Sequence, residues 1–195
     1  MRIILGAKSQ NRKIVLRRMG YDFEVMDPNI DEKSIRHKDA GHLTLALAVA
    51  KAEALLPKIK GEALLITSDQ VVVYRGYIRE KPETYGEAIR FLTSYNAYPA
   101  ETVTSVVITN TRTKIKMSIT DVARIYFNNI PEDVIREYVE SGDAYNHAGG
   151  FAHEHELLLP YVKSIEGEPE SIMGLPRTLT EMLLEDALQK TSHTL

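Results

Sequence analysis

Apolar residues recur in this sequence with two spacings, which predict alternating strands and helices. Compact apolar runs such as Ile3-Ile4-Leu5 predict strands, and apolar residues three or four apart, as in 43–56, predict helices. The predicted strands cover 2–5, 21–26, 63–66, 71–73, 101–109 and 114–126. The predicted helices cover 10–19, 43–56, 85–95, the segment between Pro131 and Gly142, and 177–187. This order predicts one α/β domain spanning residues 1–195.

Asp69 interrupts the most apolar part of the sequence. The apolar segment 63–66 precedes it and three valines, 71–73, follow it. A carboxylate is rarely buried without a cation, a metal or hydrogen bonds, because its desolvation must be offset. A buried Asp69 would therefore need a chemical reason for its position. Residues 67–69 could instead form a solvated turn between two strands, and the sequence leaves both interpretations open.

Composition and charge narrow the class of protein. The chain has 195 residues and a formal net charge of −3, which disfavours a general nucleic-acid partner. It contains no cysteine, so disulfides, thiolate zinc sites and cysteine nucleophiles are excluded. No apolar run approaches the roughly 18 residues of a membrane-spanning helix. We therefore expect a cytoplasmic protein without a membrane span.

The segment 6–12 has the layout of an anion-binding turn. It follows a strand and leads into a helix, for which Ser9 is a natural N-cap. Free backbone N–H groups and the positive end of the helix dipole can hold a phosphate at such a place. The segment lacks the Gly-Lys-Ser/Thr ending of a P-loop, and an ordinary capped helix explains it equally well.

Two lysines occupy positions that call for an anion. Lys51 lies on the apolar side of the helix 43–56, where it must either extend outward to solvent or meet a negative charge. Lys81 follows the hairpin that comes after Asp69, and a tight hairpin would return its charge to the same strand end. An exposed turn lysine is the alternative for Lys81.

Acidic and histidine residues supply candidate metal ligands. Asp31 and Glu32 in a charged loop could bind Mg²⁺, which takes one or two carboxylates together with water and phosphate oxygens. Charged loops are also often only solvated. His153 and His155 would share one face of a strand, but Glu154 faces the other way, so a histidine metal site is disfavoured.

Several short motifs together resemble the Maf family of nucleoside triphosphate pyrophosphatases, in the family's order and nearly from end to end. The matching segments are Ala7-Lys8-Ser9-Gln10-Asn11-Arg12, Asp31-Glu32, Ala50-Lys51-Ala52, Ser68-Asp69-Gln70-Val71-Val72, Glu80-Lys81-Pro82, Ala148-Gly149-Gly150-Phe151, Ile165-Glu166-Gly167 and Ser171-Ile172-Met173-Gly174-Leu175-Pro176. The family pattern has Ala-Asp-Thr-Val-Val where this chain has residues 68–72. The resemblance implies a curved mixed β-sheet flanked by helices, in two lobes with a central cleft, and a homodimer.

The resemblance also implies an activity and roles for individual residues. It implies hydrolysis of a nucleoside triphosphate to monophosphate and pyrophosphate with a divalent cation, Mg²⁺ or Mn²⁺. The implied catalytic residues are Asp69, Lys51 and Lys81. The implied substrate-binding residues are Ser9, Asn11, Arg12, Gln70 and Glu154. The implied metal ligands are Glu32 and Asp69, and the sequence leaves open whether Asp69 acts as base or ligand.

Departures from the family pattern fall where the base of the nucleotide would be selected. Gln10-Asn11 replaces Pro-Arg, Gln70 replaces Thr, and Glu154 replaces the Gln of a later Ile-Gln-Gly motif. A glutamine amide can both donate to and accept from uracil or thymine, whereas a carboxylate only accepts, which suits the N–H edge of guanine. We therefore expect a purine or modified-guanine triphosphate as the preferred substrate.

Two other classes of function remain open from the sequence. A nucleotidyltransferase can also hold a triphosphate in a turn after its first strand, but it needs a second substrate. A non-catalytic nucleotide-binding regulator linked to cell division would fit the altered turn at 10–11. A protein that has lost catalysis is disfavoured because the family's acids and lysines are retained, namely Asp69, Glu32, Lys51 and Lys81.

Overall fold

A computed structural model describes residues 1–189 as a mixed α/β structure. The strands are β1 (Arg2–Gly6), β2 (Glu24–Val25), β3 (Ala63–Tyr74), β4 (Tyr77–Arg79), β5 (Ala100–Asn110), β6 (Lys116–Phe127) and β7 (Val162–Glu166). The α-helices are α1 (Gln10–Arg18), α2 (Ala40–Leu55), α3 (Tyr85–Ser94), α4 (Glu132–Glu140), α5 (Pro169–Ile172) and α6 (Arg177–Gln189). Short 3₁₀ turns connect several of them, including Glu32–Ser34 and Ala148–Gly150.

The strands form one seven-stranded sheet with both parallel and antiparallel pairs. Its order is β2-β1-β3-β5-β6-β7, and β4 pairs with β3. β1 runs parallel to both β2 and β3, whereas β3–β4 and β6–β7 are antiparallel. The predicted α/β class with a mixed sheet and helices is therefore confirmed.

The chain divides into two compact units. Unit 1 comprises Met1–Asp69, Thr104–Asp121 and, within the described residues, 173–189. Unit 2 comprises Gln70–Val103 and Val122–Ile172. The strands β3, β5 and β6 each contribute residues to both units.

In unit 1, helices cover both faces of the sheet. Alternate residues of β3 point to opposite faces, and all of them are buried in its first half. Leu64 and Ile66 pack with the apolar residues of α1 and α6. Ala63 and Leu65 pack with the end of α2. Burial on both faces explains why 63–66 reads as a continuous apolar run rather than an alternating one.

Unit 2 has its own core, built around aromatic rings. Tyr95, Phe127 and Phe151 contact one another with ring centroids 5.4 to 6.2 Å apart. The apolar faces of α3 and α4 complete this core, with Leu92 and Tyr138 fully buried.

Most predicted elements are present, and the differences are informative. β3 continues without a break through residues 67–69, so the interpretation of these residues as a solvated turn is wrong. The segment around His153 and His155 forms turns, so the predicted strand there is wrong as well. β2 has only two residues, and β7 was not predicted. Within residues 1–189, no helix has the length and apolar character needed to cross a membrane.

Candidate active site

The centre of the candidate site is Asp69, in the interior of β3. Its side chain is buried, with the residue only 7% exposed, and Oδ1 accepts a hydrogen bond of 2.5 Å from Nζ of Lys51. Lys51 is itself only 4% exposed, and its Nζ lies 2.8 Å from Oε1 of Glu32. One ammonium group therefore lies between two carboxylates, and the alternative that Lys51 extends to solvent is wrong.

The position of Lys51 follows from the way α2 packs on β3. Asp39 caps the helix by accepting from the backbone N–H of His42 at 2.8 Å. Further along, the hydroxyl of Thr67 donates to the carbonyl of Ala48 at 2.8 Å, which holds α2 close to the strand just before Asp69. Lys51 is one helical turn beyond Ala48, on the same buried face.

Burial and nearby cations act in opposite directions on Asp69. Desolvation raises the pKa of Asp69 above its ordinary value, while the positive charges of Lys51 and Arg12 act to lower it. The net direction is upward, because burial is the largest cause. In its ionised form, a carboxylate whose pKa is raised is a stronger proton acceptor than an ordinary aspartate.

The first turn of α1 carries Arg12, a second cationic side chain whose charge interacts with the acidic residues of the candidate site. Ser9 caps α1 by accepting from the backbone N–H of Arg12 at 3.4 Å, as the sequence predicted. The Nε of Arg12 donates to the carbonyl of Gly174 at 3.0 Å, and its charge interacts with Asp69 and Glu32. Burial lowers the pKa of Arg12, but a guanidinium remains charged at neutral pH. Asn11 is half-buried in the same turn.

The loop that carries Glu32 is fixed by its neighbour. Asp31 accepts from the backbone N–H of Lys33 at 3.1 Å and caps the 3₁₀ turn Glu32–Ser34. The Asp31 carboxylate therefore stabilises the turn, and Glu32 is the acid of this loop that forms the ion pair with Lys51.

Three predicted site residues belong to unit 2. Lys81 is exposed and lies two residues after the end of β4. The carbonyl of its neighbour Glu80 accepts a hydrogen bond from the backbone N–H of Gly149 at 3.0 Å. Gln70 donates through Nε2 to the carbonyl of Ser171 at 2.7 Å. Glu154 is exposed in a turn.

Two histidines of unit 2, His147 and His155, have partners within that unit. Nε2 of His147 lies 3.3 Å from Oδ2 of Asp143, and the ring of His155 packs edge-on against Tyr138. Burial lowers the pKa of His147, and the charge of Lys81 acts in the same direction. Asp143 acts in the opposite direction on this pKa.

In unit 1 the structure thus brings together the predicted residues Asp69, Lys51, Glu32 and Arg12. Sequence reasoning missed the carbonyl of Gly174, which accepts hydrogen bonds from both Arg12 and Ser68. The only signal in the sequence was that Ser68 replaces an alanine of the family pattern. The assigned roles of these residues remain predictions.

The donor set of Glu32 and Asp69 fits a hard divalent cation. Both carboxylates approach a single cation, Nζ of Lys51, and carboxylate oxygens are preferred ligands of Mg²⁺ and Mn²⁺. Within residues 1–189, no three His, Cys, Asp or Glu side chains form a cluster suited to holding a metal. Phosphate and water oxygens would therefore complete such a site.

Comparisons with known proteins give matches over nearly the whole chain. The model of a family described as Maf-like protein matches residues 2–187. A 7-methyl-GTP pyrophosphatase of Dictyostelium discoideum is 43% identical over 194 residues, covering 96% of this chain and 98% of that protein. A dTTP/UTP pyrophosphatase of Chlamydia felis is 31% identical over 185 residues, covering 94% of this chain and 93% of that protein.

A comparison with solved structures also gives matches along the full chain. The Ham1 protein of Staphylococcus aureus aligns with a TM-score of 0.48 and 12% sequence identity, covering 98% of this chain and 100% of that chain.

Proposed function

Because this chain belongs to the Maf-like family, we propose that it hydrolyses a nucleoside triphosphate to the monophosphate and pyrophosphate. The family predicted from the motifs is confirmed, and both named relatives are nucleoside triphosphate pyrophosphatases. The observation that carries the proposal is the buried Asp69, whose carboxylate pairs with the ammonium group of Lys51, which also contacts Glu32.

The proposed reaction is attack of water on the α-phosphorus. The new bond joins the water oxygen to this phosphorus, the bond to the α–β bridging oxygen breaks, and pyrophosphate leaves. Asp69 accepts the proton of the water, a contribution of about 10²- to 10⁴-fold for a positioned base. The raised pKa of Asp69 supports this role, since burial makes its ionised form a stronger proton acceptor.

Cationic side chains offset the negative charge that gathers on the phosphate oxygens and the leaving group. We assign this role to Lys51 and Arg12 of unit 1 and to Lys81 of unit 2, and charge stabilisation of this kind lowers the barrier. We assign the first turn of α1, which Ser9 caps, to phosphate binding, since helix N-termini favour anions. Asn11 of the same turn, which departs from the family pattern, we assign to substrate binding.

Glu32 and Asp69 are the residues that would hold a divalent cation, Mg²⁺ or Mn²⁺. When bound, such an ion supplies neutralisation of phosphate charge. Lys51 contacts both carboxylates, so its positive charge offsets part of the negative charge of this acidic pair. This assignment is supported by the donor chemistry of the pair.

For the substrate we propose a guanine nucleotide, specifically 7-methyl-GTP. The relative named 7-methyl-GTP pyrophosphatase is 43% identical, against 31% for the dTTP/UTP pyrophosphatase of Chlamydia felis. Glu154 supports the same choice, because its carboxylate accepts hydrogen bonds and the Watson–Crick edge of guanine donates two. Gln70 is the second residue that we assign to the base, and Nε2 of its amide is held by Ser171.

We further propose a cytoplasmic homodimer. The absence of cysteine fits a reducing compartment, and the homodimer rests on the family resemblance. The molar mass in solution, measured by light scattering, should be twice that of one chain.

Pyrophosphate release from a panel of triphosphates tests the proposed function. The panel contains 7-methyl-GTP, GTP, dTTP and UTP, each with Mg²⁺ or Mn²⁺. We expect 7-methyl-GTP to be hydrolysed fastest, and Asp69→Asn to reduce kcat at least about 10²-fold because the proton acceptor is lost. If the wild-type protein releases pyrophosphate from no triphosphate of the panel, the result would contradict hydrolysis and favour a nucleotide-binding regulator.

Glu154→Gln tests the assignment of the base-reading residue. We expect this variant to lose part of its preference for 7-methyl-GTP over UTP. The matched control is Glu156→Gln, which removes the charge of another exposed glutamate two residues away. Equal rates with 7-methyl-GTP and UTP in the wild-type protein would contradict the proposed substrate.

A further inference from the structure

The carbonyl oxygen of Gly174 is the meeting point of two hydrogen bonds in unit 1. It accepts from Nε of Arg12 at 3.0 Å and from Oγ of Ser68 at 2.9 Å. A carbonyl oxygen has two lone pairs, so these two donors use its full accepting capacity. Ser68 has no exposed surface, and Gly174 has a φ of 89°, in the left-handed region that favours glycine.

The bond to Gly174 restricts the guanidinium of Arg12. An arginine side chain has one Nε–H donor and four Nη–H donors in a rigid plane. When Nε–H is held by a fixed carbonyl, the plane cannot turn freely. The orientation of the Nη donors is thereby set without the use of any of them. The charge of Arg12 interacts with those of Asp69 and Glu32, the two acids that contact Lys51.

Ser68 cannot act on the reaction directly. Neighbouring side chains of a strand point to opposite faces, so Ser68 lies on the face covered by α1 and α6, whereas Asp69 faces α2. The hydroxyl of Ser68 reaches the site only through the carbonyl that it holds. It is therefore a candidate positioning residue.

We propose that Ser68 positions Arg12 for triphosphate binding by fixing the Gly174 carbonyl that holds the arginine. The inference rests on the proposed function, because it takes Arg12 to bind the phosphates of the substrate. Pre-orientation of a side chain strengthens binding because the ordering cost is met before the ligand arrives.

The test is a double-mutant cycle of Ser68→Ala and Arg12→Lys, assayed with 7-methyl-GTP. Alanine stands at this position in the family pattern, so Ser68→Ala is expected to fold. We expect Ser68→Ala alone to raise KM about fivefold, the effect of one typical hydrogen bond, with a much smaller change in kcat. In the Arg12→Lys background, Ser68→Ala should change KM no further, because lysine has no Nε–H to be held.

Two further variants separate positioning from mere stability. Ser68→Thr keeps the hydroxyl and should retain the wild-type KM. Ser105→Ala is the matched control, since it also removes a buried serine hydroxyl of unit 1, one bonded to Thr44 and Thr120. We expect Ser105→Ala to leave KM and kcat unchanged, whatever its effect on the melting temperature.

Binding of inorganic tripolyphosphate, measured by calorimetry, keeps this inference separate from the proposed function. If the wild-type protein hydrolyses no triphosphate, the proposed function fails. The double-mutant cycle is then evaluated from the affinities of the four proteins for tripolyphosphate. Equal effects of Ser68→Ala with and without Arg12 would overturn the inference even if hydrolysis is established. A Ser68→Ala variant that only lowers the melting temperature would overturn it too, and a folded protein that neither hydrolyses nor binds tripolyphosphate would overturn both proposals.

Discussion

Lys51 and Asp69 form a buried ion pair whose stability depends on both partners. Taking two charges out of water is costly, and their attraction and hydrogen bond offset that cost only while the pair is complete. Glu32 shares the ammonium but its side chain is 55% exposed, so it compensates Lys51 less effectively than Asp69 does. Loss of Lys51 alone would leave Asp69 buried without its main cation.

We therefore expect Lys51→Met to lower the free energy of unfolding by about 3 kcal/mol, as is typical when one partner of a buried pair is removed. The double variant with Asp69→Asn should be less destabilised than the sum of the two single variants. Urea denaturation at neutral pH measures both effects. The control is Lys116→Met, because Lys116 pairs with the exposed Glu53 at 3.4 Å and such a surface pair contributes at most about 1 kcal/mol. Strict additivity of the two single variants would contradict the pairing argument.

Residue types and their places in the sequence marked Asp69 and Lys51 as candidates with alternatives left open, and the family resemblance singled out Glu32 from the charged loop. An acid within an apolar strand and a lysine on an apolar helix face are each costly alone, so their meeting could be anticipated. The Gly174 carbonyl could not be anticipated in the same way. It is a backbone atom, and it lies 106 positions along the chain from Ser68, so no side-chain pattern records the contact.

Among the elements, β3 shows where sequence reasoning succeeds and where it stops. The apolar residues on either side of Asp69 predicted strand correctly, but the polar residues 67–69 permitted a turn. Tertiary contacts favour the strand, because the hydroxyl of Thr67 donates to the carbonyl of Ala48 in α2 and that of Ser68 donates to the carbonyl of Gly174. β7 escaped prediction for a related reason: it has little apolar periodicity of its own and is defined by pairing with β6.

The turn Ala148–Gly150 is held tightly in unit 2. Gly149 has a φ of 69°, its N–H donates to Glu80, and its carbonyl accepts from the hydroxyl of Tyr95 at 2.9 Å. Burial raises the pKa of Tyr95 to about 12, so this hydroxyl remains a protonated donor at neutral pH. A Cβ at Gly149 would lie 2.7 Å from Cγ2 of Val72, closer than real contacts allow.

Gly149→Ala should consequently destabilise the protein by about 2–4 kcal/mol, the sum of left-handed strain and overpacking. Gly142→Ala is the control, since Gly142 has a φ of 84° but no heavy atom within 4 Å of an added Cβ. It should cost only the backbone strain, about 1–2 kcal/mol. Urea denaturation of both variants separates the two contributions. If Gly149→Ala lowers the free energy of unfolding no more than Gly142→Ala does, the turn can move away from Val72.

In the chain as a whole, the two units are not consecutive pieces of sequence. The chain passes from one unit to the other at 69/70, 103/104, 121/122 and 172/173, and the first three passages lie within β3, β5 and β6. Melting one unit would therefore fray strands that continue into the other. The prediction of a single domain from the sequence thus leads to a specific expectation for unfolding.

Both units should unfold in one cooperative transition, and the distribution of aromatic residues allows this to be measured. The chain has no tryptophan, and of its ten tyrosines Tyr21 alone lies in unit 1. Tyrosine fluorescence therefore reports on unit 2, and the variant Tyr21→Trp adds a probe at the half-buried edge of the unit 1 core. We expect the two probes and the far-ultraviolet circular dichroism to give coincident urea transitions, as two-state unfolding requires. The dichroism curve of Tyr21→Trp must match that of the wild-type protein for the probe to be valid. Separated midpoints would mean that one unit stays folded after the other has unfolded, and therefore that the continuous strands do not couple the two.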